Sequence, residues 1–186
     1  MRAFTSRRRL VWLLVAAGAV VVVVAALVFE PWKLVIDQTV DEAPPSASAQ
    51  VEPGGAAQDA AASQSAEPVV LAQGTFISHE HESSGSVAIL QLADGSRVLR
   101  LQDLRTSNGP LLRVWLADAA VIAGSEGWHV FDDGRYVDLG DLKGNIGSSN
   151  YPVPPEVDLA DFPSVSIWCD RFNVSFAAAT LQSTVG

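Results

Sequence analysis

The chain has 186 residues and a formal net charge of −9, which results from 12 Lys or Arg and 21 Asp or Glu residues. This acidic balance argues against nucleic acid as a partner, because phosphate backbones are bound by basic surfaces. A single cysteine excludes a disulfide within the chain.

The first predicted element is a transmembrane helix over residues 10–29, which follows a basic N-terminus over residues 1–9. From Leu10 to Phe29 the chain carries twenty consecutive uncharged residues. As a helix at about 1.5 Å per residue, this run spans the hydrocarbon core of a bilayer. Four arginines precede it, namely Arg2, Arg7, Arg8 and Arg9. By the positive-inside rule we expect a single-pass protein of the cell membrane, with a cytoplasmic N-terminus and an extracytoplasmic remainder.

Two cleavable targeting signals compete with this anchor. A secretory signal peptide needs a small-x-small cleavage site directly after its apolar core, and the sequence there is instead Glu30-Pro31-Trp32-Lys33. Ala47-Ser48-Ala49 has a suitable shape but lies far downstream. The run from Ser6 to Leu10 resembles a twin-arginine signal only loosely. We therefore favour an uncleaved anchor.

A juxtamembrane segment and a flexible linker are predicted over residues 30–68. From Asp41 to Pro68 the composition is Ala, Pro, Ser, Gln, Gly and acidic residues, with Val51 as the only large apolar residue. Such a segment cannot bury enough apolar surface to offset the entropy lost on ordering. The folded domain is therefore expected over residues 69–186, with seven Lys or Arg and fourteen Asp or Glu residues.

This domain is predicted to be all-β, a small β-sandwich, because alternating apolar residues are separated by turn residues throughout. Asp94-Gly95 predicts a hairpin between strands over 86–92 and 97–101. A further strand over 110–116 places three apolar side chains on one side, namely Leu112, Val114 and Leu116. Single helical turns are expected over 157–162 and 177–181.

Cys169 lies in a predicted strand with its side chain inward, beside Val165 and Ile167. The inward positions then change from odd to even numbers, which predicts a bulge or sharp bend at Asp170-Arg171. Free cysteine packs as a small hydrophobe, so an inert core thiol is one interpretation. An unpaired thiol is a hazard in an oxidising compartment, so a functional cysteine is the other. A reactive thiolate needs a nearby cation, for which Arg171 is the candidate.

Two histidines form a candidate metal site. His79 and His81 share a face if their segment is a strand, and such a pair can bind copper or zinc. A solvated surface is the alternative. His129, in the segment 124–133, is expected to be exposed and structural.

The polar, Gly-rich segment over 142–155 is interpreted as a loop. Its polar side chains line a site or simply fasten the loop to the sandwich. These residues are Lys143, Asn145, Asn150 and Tyr151. We expect Gly144 and Gly147 to adopt positive φ.

Several short motifs follow one another in a fixed order along the domain. They are Gly74-Thr75-Phe76, Gly85-Ser86-Val87-Ala88, Asn108-Gly109-Pro110-Leu111, Val137-Asp138-Leu139-Gly140, Leu142-Lys143-Gly144-Asn145-Ile146-Gly147, Val165-Ser166-Ile167-Trp168-Cys169 and Val174-Ser175-Phe176-Ala177. In this order they resemble the DM13 family of electron-transfer domains. The resemblance covers nearly all of residues 73–181.

The resemblance implies an extracellular β-sandwich in which Cys169 is a redox thiol or a ligand to a prosthetic group, with haem or copper as candidates. It also implies a membrane redox partner, since DM13 domains accompany DOMON domains and haem-binding membrane proteins. The competing hypothesis is a binding module that contacts a surface protein and keeps Cys169 as a core residue. No residue set in the sequence indicates a turnover enzyme.

Overall fold

The computed structural model describes residues 2–29, 32, 36–46 and 67–184. Its one α-helix in these ranges, α1, covers Arg2–Phe29. The window Val11–Val28 has a mean hydropathy of 2.9, and none of it is buried. By length and composition, α1 can cross a membrane.

The domain consists of two β-sheets. The first has six strands in the order β1-β8-β5-β4-β2-β11, and the second has five in the order β3-β10-β9-β6-β7. The strands are β1 (Thr39–Asp41), β2 (Val69–Thr75), β3 (Ile77–Ser78), β4 (Ser84–Gln91), β5 (Arg97–Arg105), β6 (Leu112–Ala117), β7 (Tyr136–Asp141), β8 (Ile146–Val153), β9 (Ser164–Cys169), β10 (Val174–Thr180) and β11 (Gln182–Ser183). All described pairings are antiparallel except that of β1 with β8.

The main core lies between the two sheets and follows the predicted alternation. On β6 and β9 the inward residues belong to one buried apolar cluster with residues of β4, β5, β8 and β10. These inward residues are Leu112, Val114, Leu116, Val165, Ile167 and Cys169. The all-β, sandwich-like prediction is therefore confirmed.

The hairpin between β4 and β5 turns at the predicted residues. Gly95 has φ 84° and its N–H donates to the Leu92 carbonyl at 2.9 Å. The core side of β4 is formed by Val87 and Ile89, which pair with Leu101 and Leu99. The motif at Asp94-Gly95 thus fixes the register as well as the turn.

A second, smaller cluster covers the opposite face of the second sheet. Trp115 and Trp168 project from this face, and Phe131 packs against them from the connection between β6 and β7. Three partly buried residues of the same connection also pack against this cluster, namely Ala119, Val121 and Val130. The strands β6, β9 and β10 of the second sheet are consequently buried on both faces along most of their length.

The structure differs from the sequence prediction in the segment expected to be linker. Residues 36–46 lie against the domain, and Thr39–Asp41 extends the first sheet beside β8. A strand at this edge satisfies backbone groups that β8 would otherwise expose. Folded structure therefore includes residues outside the expected range 69–186. The rest of the predicted flexible linker, residues 47–66, lies outside the described residues.

Two further segments also differ. Residues 146–153, interpreted as part of a polar loop, form β8, whose polar residues contact other chain segments instead of water. Residues 177–181, expected as a helical turn, lie mostly in β10. The helical turn expected over 157–162 is present as a short 3-10 helix over Leu159–Asp161, in which Asp158 caps the Ala160 N–H.

Candidate functional site

Cys169 occupies the last position of β9 and is fully buried. Its Cα lies opposite Leu112 of β6 and Val174 of β10. Its relative exposure is 0%, and its thiol donates a hydrogen bond to the Pro110 carbonyl at 3.2 Å from Sγ. The side chain therefore points inward as the alternation predicted.

The surroundings of Sγ keep the thiol protonated. Burial raises the pKa of Cys169, and the negative charges of Glu80 and Asp170 raise it further. The backbone N–H groups of Phe172 and Arg171 oppose this rise without cancelling it. Arg171 itself has an exposed side chain, so it does not act as the cation that the sequence suggested. A protonated thiol is a poor nucleophile and a poor metal ligand.

The predicted bend next to Cys169 is a hairpin turn. β9 ends at Cys169 and β10 begins at Val174, so residues 170–173 form a four-residue connection. Asn173 adopts φ 50° there. The change from odd to even inward positions results from the reversal of the chain, since the register shift on this strand pair lies further along, between Ser175 and Ala177.

A prosthetic group bound through Cys169 does not fit this arrangement. Three cavities in the described part of the chain have volumes of about 470, 400 and 330 Å³, and neither a cysteine nor a histidine lines any of these three. Within the described residues no three His, Cys, Asp or Glu side chains group as metal ligands. A haem or copper centre on Cys169 would need a different conformation of the turn or of the Pro110 segment.

His79 and His81 pack against different clusters. The His79 ring is 6% exposed and lies 5.8 Å from the Phe131 ring in the smaller cluster. The His81 ring lies 4.0 Å from the Phe176 ring, which belongs to the main core. The metal site at these two residues stays a prediction.

His129, in the connection between β6 and β7, contacts the β9–β10 turn. Its ring is exposed, and Nδ1 lies 2.6 Å from the Asn173 carbonyl oxygen. A carbonyl can only accept, so Nδ1 is the donor in this contact. His129 thus has the exposed, structural position that the sequence predicted.

Three of the four polar residues of the predicted loop, Lys143, Asn145 and Asn150, bind residues 36–46 of the same chain, and Tyr151 binds Lys143. Lys143 Nζ contacts the Glu42 carboxylate at 2.8 Å and donates to the Asn150 carbonyl at 2.7 Å. The Lys143 N–H donates to the Tyr151 hydroxyl at 2.9 Å. Asn145 binds the Asp37 carboxylate through Nδ2 at 2.9 Å.

Asn145 and Asn150 use nearly all of their hydrogen-bonding groups in this contact. The Oδ1 of Asn145 accepts from the Gln38 N–H at 2.7 Å. The Asn150 N–H donates to the second Glu42 carboxylate oxygen at 2.7 Å, and its Nδ2 donates to the Ala43 carbonyl at 2.9 Å. These residues therefore hold a strand of the same chain.

Sequence reasoning missed Arg100 and Glu42 as members of this site. Arg100 is 9% exposed, and its guanidinium donates to the Glu42 and Ala43 carbonyls at 3.2 Å. Burial alone would raise the pKa of Glu42, but hydrogen bonds from Lys143 and Asn150 and the Arg100 charge outweigh it, so the pKa lies below 4.5. No apolar alternation in the segment 36–42 indicated this contact, since Gln38 stands between Ile36 and Val40 on the same face of an extended chain.

A stack of aromatic rings leads from the face of β9 opposite to Cys169 to the surface. Trp168, the residue before Cys169, stacks on Trp115 with 4.9 Å between ring centroids. Trp115 in turn stacks on Tyr136 at 3.9 Å. Tyr136 is 45% exposed, so the stack joins the buried centre of the second sheet to solvent.

A two-sheet β domain with one buried cysteine, preceded by an apolar helix, defines the class of protein. The family model described as "Electron transfer DM13" matches residues 75–181. Since the match covers more than half of the chain, the chain belongs to the electron transfer DM13 family, and the sequence-based resemblance is confirmed. No curated protein and no solved structure matches the chain.

Proposed function

We propose that this chain is a membrane-anchored, extracytoplasmic electron-transfer protein in which Cys169 is the redox group. The observation that carries the proposal is membership of the electron transfer DM13 family. Further support comes from the only cysteine of the chain, which is fully shielded from water in the core between the sheets. In this proposal the bare thiol is the redox group: the membrane redox partner takes one electron from it as its proton leaves, and the return of both restores the thiol. Haem or copper is not proposed, because the residues around Cys169 do not fit either group.

The anchoring part rests on α1 and its flanking charges. The window Val11–Val28 is long and apolar enough to cross a bilayer. Four arginines lie before the apolar run and a single lysine, Lys33, lies shortly after it, a bias that favours a cytoplasmic N-terminus. A membrane redox protein is the partner expected for a domain held there.

A second candidate function is that of a surface-protein binding module without redox activity. The packing of Cys169 favours it, because a buried thiol that donates to a backbone carbonyl and contacts apolar side chains is the usual state of a core cysteine. In that case the aromatic stack only stabilises the second sheet.

Voltammetry of the purified full chain in detergent, with an absorption spectrum of the same sample, tests the proposal. We expect a reversible signal from the native chain that is lost in Cys169→Ser and kept in Val165→Ala. The second variant perturbs the same strand and leaves the thiol in place. Cys169→Ser retains a hydroxyl donor for Pro110, so the fold should survive.

Two outcomes would overturn the redox role. A signal that persists unchanged in Cys169→Ser would exclude the thiol as the redox group. The absence of any signal, together with equal capture of a membrane protein by the native chain and by Cys169→Ser, would favour the binding module. An absorption band that disappears in Cys169→Ser would show a bound chromophore and exclude the bare thiol.

A further inference from the structure

The edge of β8 has the features of a binding site for an extended peptide strand. β1 pairs with it in parallel register, with Thr39 opposite Ile146, Val40 opposite Gly147 and Asp41 opposite Ser148. The Glu42 N–H continues the ladder by donating to the Ser148 carbonyl at 2.8 Å. Backbone pairing of this kind is how proteins capture an extended segment at a sheet edge.

Two glycines make room for this strand. A Cβ at Gly147 would lie 2.1 Å from the Val40 carbonyl oxygen, and a Cβ at Gly144 would lie 2.6 Å from the Gln38 carbonyl oxygen. Real side chains do not tolerate such distances. Gly147 also has φ 105°, as predicted, whereas Gly144 is not at positive φ. The absence of side chains at both positions is thus required by the bound strand.

Charge and amide groups select for an acidic segment. Lys143 and Arg100 face Glu42 and its neighbouring carbonyls, while Asn145 binds both the side chain of Asp37 and the backbone of Gln38. Arg100 and Asn145 are both buried in the presence of this strand. If the segment left, Arg100 would lose the Glu42 and Ala43 carbonyls and keep Asn150. Asn145 would lose Asp37 and Gln38 and keep the Thr106 carbonyl.

We propose that the β8 edge is a binding site for an extended acidic segment and that residues 36–46, just after the membrane helix, are its ligand. The paired strand then holds the domain close to its anchor independently of the covalent connection between β1 and β2. Only residues 30–35 separate the helix from the strand, about 20 Å when fully extended. The proposal uses the proposed anchoring by α1 and is independent of electron transfer.

Cleavage of the connection between β1 and β2 tests this directly. A protease site is introduced within residues 55–61 of the full chain, which carries an N-terminal affinity tag and is reconstituted in phospholipid vesicles. After cleavage, no covalent bond joins the domain fragment to the helix. We expect the fragment to sediment with the vesicles and to elute with the tagged helix after solubilisation in detergent.

A matched pair of glycine variants separates strand binding from backbone strain. Gly147→Ala and Gly95→Ala both place a side chain at positive φ, but only the alanine at 147 meets the bound strand. We expect cleaved Gly147→Ala to release the domain and cleaved Gly95→Ala to retain it. Glu42→Gln should release it about tenfold faster than the native chain, since hydrogen bonds to a charged group are lost, whereas Glu156→Gln, at an exposed residue, should not.

Immediate release of a folded domain after cleavage within 55–61 would overturn the proposal. A second protease site, placed within residues 30–35, provides the other decisive outcome. Cleavage there should free the domain together with its strand, and retention on the vesicles would mean that the domain binds lipid by itself. If the uncut chain fails to sediment with vesicles, the anchoring proposal fails, while co-elution with the tag still tests strand binding.

Discussion

His79 is a buried imidazole with neither ring nitrogen in a hydrogen bond of normal geometry. Burial lowers its pKa below 6.5, and the Ile122 carbonyl opposes this only in part. The ring is thus neutral in the folded protein and binds a proton more readily in the unfolded chain. Stability should therefore fall as the pH drops below 6.5 towards the pKa of the folded state.

We predict that His79→Leu reduces this pH dependence and raises the melting temperature at pH 5.5. Leucine fills the site and carries no polar atom to desolvate. Thermal unfolding of the full chain in detergent, followed by circular dichroism at pH 5.5 and 7.5, measures the effect. His129→Gln, which changes an exposed ring, is the control. An equal pH dependence in His79→Leu and in the native chain would refute the assignment.

At the residue scale the sequence predicted the direction of Cys169 but not its chemistry. Alternation with Val165 and Ile167 is local information, and it placed the side chain in the core. The thiol's acceptor, Pro110, is 59 positions away in the chain, and Glu80 comes from another strand connection. Contacts of that kind depend on sheet order, which residue periodicity does not contain.

The connection between β9 and β10 depends on Asn173 at φ 50°, a conformation that costs most side chains about 1–2 kcal/mol. We predict that Asn173→Gly leaves the free energy of unfolding nearly unchanged, whereas Asn173→Val lowers it by about that amount. Urea unfolding monitored by tryptophan fluorescence compares the two variants. Equal stability of the two would show that the turn can relax to another conformation without cost.

At the element scale, strands with apolar alternation were predicted well and β8 was not. Its residues Ser148 and Asn150 lie at positions that bind other parts of the chain, so polarity there marks an internal contact and not a surface loop. The turn after Cys169 was predicted as a bulge or bend within one strand. A shift in parity has the same sequence pattern whether the strand bulges or the chain reverses.

The whole molecule should insert with its domain outside the cytoplasm. We predict that protease added to right-side-out membrane vesicles of the host removes the domain, whereas an N-terminal epitope tag stays protected until detergent is added. Replacement of Arg2, Arg7, Arg8 and Arg9 by alanine should produce a mixture of orientations, because the positive-inside bias is lost. A digested tag with a protected domain would contradict the orientation.

At this scale the composition of residues 30–68 predicted a juxtamembrane segment followed by a flexible linker, and within that range the structure shows Thr39–Asp41 paired with the domain. The segment 36–46 is ordered by backbone pairing and by side-chain contacts with residues about one hundred positions away. Hydrogen bonds over such separations leave no trace in local composition.

The parallel pairing of β1 with β8 also determines how the molecule would respond to mechanical load. If a partner held the domain of an anchored chain, a force from the membrane would reach β1 before it reached the rest of the domain. Once the hydrogen bonds between β1 and β8 break, residues 42–68 join the load path and add about 90 Å of contour length. Separation of this short strand from β8 would therefore let the domain move farther from the membrane while it stays covalently attached to its anchor.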